Sequence, residues 1–381
     1  MQNYRKNKVL IVNNNLDMGG IQKSLVNLLK EAYKDYDITL LLFSKSGALL
    51  NEVPKEVQII TPIKAYSILG TDKEELKKHP FLFVMKALLI AYSKIFSRRS
   101  AMKLLGVFQK KISGYDTVIS YSHLPHHKYF GNGCGDFVLD KINCNKKICL
   151  IHCDYLNSGY MTEQNNAEYR EFDRIACCSD SVKTRFIQGS AVKPSKVHTL
   201  RNFLDLGVDA LAKCDPYCYD ENYINLVSVA RLSGEKGIDR AIEALHNSNR
   251  SNLRYYIVGD GPQRSALIDL VSRYGMDNQV FFLGEQKNPY RFMLNADYLL
   301  VPSLHEAAPM VFDEAKVLGL NVISTNTTSA IEMISDGGII CDNSLEGIES
   351  VLAGLKKEFK KDKIPKTNQL QIDQFRKIVN S

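Results

Sequence analysis

The chain reads as an α/β protein made of two doubly wound parallel sheets, and three observations predict this. Short apolar runs of strand length alternate with segments of helical period. The alternation runs twice, once from Lys8 and again from about Asn222. Between the two series, Leu206 to Asp220 carries no clear period and reads as a link. Strands that alternate with helices need right-handed crossovers, and those give parallel sheets. A chain of 381 residues is long enough for two cores. The expected domains are 1–205 and 206–365, two Rossmann-like units facing a central cleft. A C-terminal helix within 366–381 is placed to cross back to the first.

The elements follow in order. Lys8–Asn13 (KVLIVN) is a buried-strand pattern, Asp17-Met18-Gly19-Gly20 a glycine turn, and Ile21–Tyr33 a helix. Ile38–Phe43 and Val57–Thr61 are strands, 64–112 is mostly helical, and Thr117–Ser120, Lys147–Ile151 and Arg174–Cys178 are short strands. In the second series Asn225–Val229 is a strand, Arg231–Gly237 a polar loop and Ile238–His246 a helix. Leu253–Val258 is a strand closed by Gly259-Asp260-Gly261-Pro262, with a helix running to Tyr274. Val280–Leu283, Tyr298–Val301 and Asn321–Ser324 are strands, Tyr290–Leu294 and Val311–Leu318 helices, and Asp336-Gly337-Gly338 a turn. Leu370–Val379 is the last helix.

Composition narrows the class. The net charge of +7 is uneven: residues 1–200 hold 29 Lys and Arg against 18 Asp and Glu. The densest basic stretch, Phe81–Ile112, interrupts an apolar run with Lys86, Lys94, Arg98, Arg99, Lys103, Lys110 and Lys111 and contains no acid. A basic amphipathic helix of this kind suits an anionic membrane surface. No aromatic-rich basic motif points to nucleic acid. No run of about 18 apolar residues offers a membrane span, and the polar start does not resemble a secretory leader. Nine scattered cysteines suggest reduced thiols. The expected location is cytoplasmic, peripheral on the inner face of the cell membrane.

The chemistry concentrates after the Tyr298–Val301 strand. Glu306 and Glu314 lie eight residues apart around Pro309, a spacing that marks a loop entering a helix. Proline fits a first helical turn, where a missing N–H does no harm. The backbone amides from Ala308 to Phe312, including Pro309's neighbours Met310 and Val311, would then face the loop as an anion site. Phosphate suits that helix tip, and hydroxyls suit the two carboxylates. Arg231 and Lys236 place two cations in one loop, suited to charge developing on a leaving diphosphate. Gly19-Gly20 opens a second helix N-terminus. His152, at a strand end near Asp154, is a candidate to orient an acceptor hydroxyl or take its proton. His123, in the run SHLPHH, is a weaker candidate with poor metal spacing.

These pieces resemble the retaining GT-B glycosyltransferases of glycosyltransferase family 4. The matching run is Val229-Ala230-Arg231-Leu232 with Lys236-Gly237, then Val258-Gly259-Asp260-Gly261-Pro262, Phe282-Leu283-Gly284, Asn288-Pro289-Tyr290, Ala296-Asp297, Pro302-Ser303 and the Glu306…Glu314 pair. It covers roughly residues 222–345. The resemblance implies a metal-independent hexosyltransferase, catalytic through Arg231, Lys236, Glu306 and His152. Gly19, Gly20, Gly259, Pro289, Ala308, Pro309, Met310, Val311 and Glu314 would hold the donor. Glu314 would take the ribose hydroxyls and Glu306 the transferred sugar. The donor, bound by 206–365, would be a nucleoside-diphosphate sugar, with UDP favoured, and the acceptor, bound by 1–205, a lipid-linked or polysaccharide glycan of envelope assembly. No resident cofactor and no metal are expected. One departure is Ala307, where the family usually has glycine. Rival readings are a GT-B sugar epimerase and a catalytically silent glycosyltransferase partner. An oxidoreductase is disfavoured because no GxGxxG follows the first strand.

Overall fold

The computed structural model describes residues 6–334, 337–358, 362–363 and 367–381. The boundary expected at 365/366 and Asp336 of the predicted turn lie outside the described residues. The chain divides into two compact units, Met1–Phe203 with Asn368–Ser381, and Leu204–Thr367.

The first unit holds β1 (Lys8–Asn13), β2 (Asp37–Leu42), β3 (Gln58–Ile60), β4 (Thr117–Ser120), β5 (Lys147–Ile151), β6 (Arg174–Cys177) and β7 (Val197–Thr199). All pair in parallel, in the order β3-β2-β1-β4-β5-β6-β7. Its helices are α1 (Gly20–Ala32), α2 (Lys73–Lys77), α3 (Pro80–Ile95), α4 (Arg98–Leu105), α5 (Cys134–Lys141), α6 (Glu163–Arg170) and α7 (Asp180–Gly189). Val9 to Val12 are fully buried, as expected of a strand covered on both faces. Ser97, Thr162 and Ser179 cap α4, α6 and α7 by accepting a backbone amide three residues on.

The second unit holds β8 (Ile224–Val229), β9 (Leu253–Val258), β10 (Val280–Gly284), β11 (Tyr298–Val301), β12 (Asn321–Thr325) and β13 (Ile339–Cys341). They pair in parallel in the order β10-β9-β8-β11-β12-β13. Its helices are α8 (Val208–Lys213), α9 (Ile238–Asn247), α10 (Arg264–Arg273), α11 (Tyr290–Asn295), α12 (Met310–Leu318), α13 (Ala330–Ile334) and α14 (Leu345–Gly354). In each sheet the strand order reverses beside the unit's first strand, at β1/β4 and at β8/β11. Such reversal points open a crevice at the carboxyl ends of the strands. The link read as aperiodic contains the short helix α8.

The last helix, α15 (Gln369–Asn380), belongs to the first unit. Phe375, Ile378 and Val379 enter the core beneath α1, and the Phe375 ring meets Tyr36 edge-on at 5.4 Å. Gln374 accepts the Arg201 amide at 3.0 Å.

The basic stretch departs from expectation. It forms two helices, α3 and α4, and not all its cations face solvent. Arg98 is fully buried. Its guanidinium donates to Asp136 (2.8 Å), to the Pro125 carbonyl (2.6 Å), to Asn165 (3.1 Å) and to Glu168. Arg99 is held by Asp140 (3.0 Å) and Glu171 (2.9 Å). These two arginines tie α4 to α5 and α6 from within. α3 exposes Lys94 and several large apolar side chains: Phe81 is 78% exposed, Val84 55%, Leu88 66% and Ile95 71%. Among the described residues no helix is long and apolar enough to cross a membrane. All nine cysteines are free thiols.

Candidate active site

The second unit builds its site at the β8/β11 reversal point. The loop after β8 must approach the end of β11 closely, and Gly237 makes that fit. Its φ is +61°, and a Cβ there would lie 2.2 Å from the Pro302 carbonyl oxygen. Residues with a side chain are strained in that conformation and would clash as well. The Leu304 amide donates to Glu235 O at 2.8 Å, lacing the two loops together. Gly259 packs on Ala230, and the Leu232 amide reaches Asp260 O at 2.9 Å. The glycine turn after β9 therefore supports the loop that carries Arg231.

This lacing brings Lys236 to Glu306. Lys236 Nζ donates to Glu306 Oε1 at 2.7 Å, and Ser303 Oγ donates to the same oxygen at 2.7 Å. The Glu306 side chain is 9% exposed and that of Lys236 25%. The two residues expected to serve sugar and diphosphate separately are bonded to each other. Arg231 is exposed nearby. Desolvation raises the Glu235 carboxyl, but a hydrogen bond from Ser233, its own backbone amide and then the charges of Lys236 and Arg231 hold it below the usual range.

α12 begins at Met310, one residue before the expected Val311 start, and Pro309 falls just outside the first turn it was expected to join. Pro309 is its N-cap, with ψ of 125°. The Phe312 amide bonds Pro309 O at 3.3 Å, so the amides at the helix tip narrow to Met310 and Val311. No side chain caps this end, which leaves it electropositive, although Asp313 in the same turn opposes an anion. Glu314 lies one turn in, 4% exposed, and accepts from Tyr290 Oη at 3.0 Å. Tyr290 opens α11, whose N-cap is Pro289. Tyr290 and Ser303 escaped the sequence reading as site residues, though both stood in the motif runs that pointed here. Ala307 does not have a positive φ, so its side chain is accommodated without strain.

The first unit gathers different chemistry at the ends of β1, β4 and β5. Gly19 caps α1 in an extended conformation (φ 176°) rather than a tight glycine turn, and Gly20 is the helix's first residue. His152 follows β5, its ring 5.4 Å from that of Tyr121. Burial, and then the neighbouring His123, push its pKa down to about 3, so it is a neutral imidazole. Its Nε2 is buried and has no partner among the described residues. The nearby Asp154 carboxylate accepts from Arg185 (2.7 Å) and Asn157 (3.0 Å). His123 stacks on Tyr160 at 5.3 Å, and burial lowers it to about 4. Among the described residues no group of three or more His, Cys, Asp or Glu side chains is arranged for a metal.

Comparison with known proteins bears on this geometry. Residues 219–369, which carry the whole β8/β11 constellation, match the model for glycosyl transferases group 1. The match covers the second unit, and the chain resembles that family there. It is 28% identical over 285 residues to a component of human phosphatidylinositol N-acetylglucosaminyltransferase, covering 72% of this chain and 52% of the relative. The chain thus spans about half the length of that relative. It is 25% identical over 268 residues to a Campylobacter jejuni N-acetylgalactosamine-N,N'-diacetylbacillosaminyl-diphospho-undecaprenol 4-alpha-N-acetylgalactosaminyltransferase, with 66% and 69% covered. Among solved structures, Anabaena HepE in complex with UDP and glucose superposes with a TM-score of 0.63 at 17% identity, over 91% of this chain and 89% of that one. The chain therefore shares the GT-B fold, with two Rossmann-like units.

Proposed function

We propose that this protein is a retaining hexosyltransferase. It moves a sugar from a nucleoside-diphosphate sugar, UDP-linked in the first instance, to a hydroxyl of a lipid-linked or polysaccharide acceptor in envelope glycan assembly. The observation that carries this reading is the Lys236–Glu306–Ser303 cluster beside the open tip of α12. A diphosphate there meets Arg231, Lys236 and the Met310 and Val311 amides, which together offset charge as the nucleotide leaves. Glu314, fixed by Tyr290, is placed for ribose hydroxyls, and Glu306 for the transferred sugar. With the donor in place, Lys236 turns part of its charge from Glu306 to phosphate.

In the reaction the bond from the anomeric carbon to the β-phosphate oxygen breaks as the acceptor oxygen bonds on the same face. The acceptor proton passes to the departing phosphate, and the anomeric configuration is kept. No carboxylate is required as a covalent nucleophile. Two fixed cations supply the positive charge, so turnover should persist in a chelator. His152 Nε2, neutral and unpaired, suits an acceptor hydroxyl on the first unit.

The acceptor's lipid belongs to the surface of α3. Its exposed Phe81, Val84, Leu88 and Ile95 share one helical face. Exposed Lys94, Lys103, Lys110 and Lys111 follow without an intervening acid. That combination fits an anionic membrane on the cytoplasmic side. Thermal shift tests the donor half: UDP should raise the melting midpoint, because a ligand of the folded state stabilises it by mass action. No shift with UDP, GDP or ADP would remove the donor assignment.

A further inference from the structure

Two donors reach the same carboxylate oxygen of Glu306. Lys236 Nζ and Ser303 Oγ each lie 2.7 Å from Oε1. They differ in charge and in what holds them. The Lys236 side chain is 25% exposed on the loop after β8, and in the proposed reaction its charge turns toward the diphosphate. Ser303 is buried just beyond the end of β11. Resting on that reading, we infer that Ser303 is a positioning residue for the transfer. It keeps the Glu306 carboxylate in place once Lys236 has been drawn to phosphate, and it does so without cancelling the carboxylate's charge.

Ser303 suits this role because its own place is fixed from outside the loop. Its carbonyl accepts from Thr325 Oγ1, at the end of β12, at 2.5 Å. The Leu304 amide donates to Glu235 O at 2.8 Å, and the Leu304 carbonyl accepts from Asn343 Nδ2 at 2.9 Å. The Glu306 carbonyl accepts from Ser329 Oγ, just ahead of α13, at 3.3 Å. Thr325 and Ser329 are themselves buried. The backbone from Ser303 to Glu306 is therefore clamped by β12, by the turn before α13 and by the loops at Glu235 and Asn343. None of these clamps passes through the Lys236 side chain, so the serine–carboxylate bond does not depend on it.

The chemistry favours a neutral donor at this position. An ionised carboxylate only accepts hydrogen bonds, so it must be oriented by donors. A second cation would orient it too, but would neutralise it in the bound complex. A hydroxyl donates one proton and leaves the negative charge beside the sugar. There it can offset the positive charge that develops at the anomeric carbon as the bond to phosphate breaks. Because both donors claim Oε1, a sugar hydroxyl is left to bond Oε2.

Release of UDP by the full chain from UDP-glucose, UDP-galactose and UDP-N-acetylglucosamine, with water as acceptor, tests this. The donor that the wild type cleaves fastest is carried forward. Ser303→Ala should lower kcat roughly tenfold, as for loss of a hydrogen bond to a charged group. KM for the donor and inhibition by UDP should stay within about twofold of wild type. Ser303→Thr, which keeps the hydroxyl, should restore kcat. A residue that only shaped the loop would move UDP affinity together with kcat. If Ser303→Ala lowers the melting midpoint, Ser303→Thr is compared with Ser303→Val, which has the same shape without the hydroxyl, and the valine variant should be slower by the same factor. An unchanged kcat in Ser303→Ala, a parallel loss of UDP affinity, or equal rates for the threonine and valine variants would each overturn the inference. No release by the wild type from any of the three donors would overturn the donor reading and this inference with it. The two failures are thus told apart by the wild type alone.

Discussion

Both units close their loops over the carboxyl ends of a parallel sheet, but they hold opposite chemistry there. In the second unit Gly237 against Pro302 locks an ion pair, Lys236–Glu306, at 2.7 Å beside an uncapped helix tip. In the first, Gly70 against Asn14 closes a cavity lined by Ser44, Ser46, Ser67 and Thr71, and the buried imidazoles of His123 and His152 are neutral. The difference teaches how the work is divided. Charge that must be offset during bond breaking calls for fixed cations and amides, since preorganised groups need no rearrangement as the reaction proceeds. On the proposed reaction a neutral acceptor calls only for hydrogen-bonding groups, since its proton leaves on the phosphate. The contrast can be broken at four points, from the largest effect to the smallest.

The largest is Arg98→Met. Removing one member of a fully buried ion network leaves Asp136 and Glu168 uncompensated, and such breaks destabilise by about 3–5 kcal/mol. Urea unfolding should show this loss in the first unit, while UDP binding by the second survives in the folded fraction. An unchanged midpoint would mean that the network carries no net stability.

That network also shows where sequence reading stops. Most strands were legible to within a residue, because buried parallel strands are written as short apolar runs such as LRYYIV in β9. The helix α6 was not. Its buried positions are Asn165, Glu168 and Tyr169, so it has no apolar stripe to detect. Its partner Arg98 lies 70 residues from Glu168, and nothing local marks that arginine as internal. The three-residue β7 and β13 are too short to show alternation. In the candidate site, Lys236 and Glu306 were legible as charges in motif loops, but their mutual bond depends on Gly237 fitting under Pro302 across 65 residues of chain. The first unit's cavity was not legible at all, since it draws single serines and carboxylates from separate loops.

The second break is on the charged side. Lys236→Ala and Arg231→Ala should each lower turnover by roughly 10²-fold, as for loss of one charge-stabilising donor. Melting should change little, since the Lys236 side chain is 25% exposed and its partner Glu306 keeps Ser303. Glu314→Ala should instead act mainly on KM for the donor, because a ribose contact is made before and during reaction. Near-normal turnover in both cation variants would move leaving-group stabilisation elsewhere.

The third concerns the neutral histidines. Burial holds both His152 and His123 below the ordinary histidine value, to about 3 and about 4. The unfolded chain therefore binds more protons than the folded one between those values and the ordinary value. Stability should be fully present above that ordinary value and decline as pH falls through it. The melting midpoint should drop between pH 7 and pH 5, and His152→Gln with His123→Gln should shrink that drop. An equal drop in the double variant would mean that other groups carry the pH dependence.

The smallest effect per residue, and the one that reaches beyond the two sites, lies on α3 and the chain after it. Arg98 is buried and Arg99 is held by Asp140 and Glu171, so the surface that could meet a membrane is defined by Phe81, Val84, Leu88 and Ile95 with Lys94, Lys103, Lys110 and Lys111. Each cation near an anionic leaflet contributes about 1 kcal/mol, a term that fades with salt. Burial of the apolar side chains does not fade in that way. The protein should therefore pellet with anionic vesicles at low salt and be released only partly at high salt. Replacing the four lysines with Gln should remove the salt-sensitive part. Replacing Phe81, Leu88 and Ile95 with Ser should remove the remainder, with UDP binding intact in both variants. If the wild type stays in solution with anionic vesicles at low salt, α3 faces water or another protein. A soluble polysaccharide would then replace the lipid-linked acceptor.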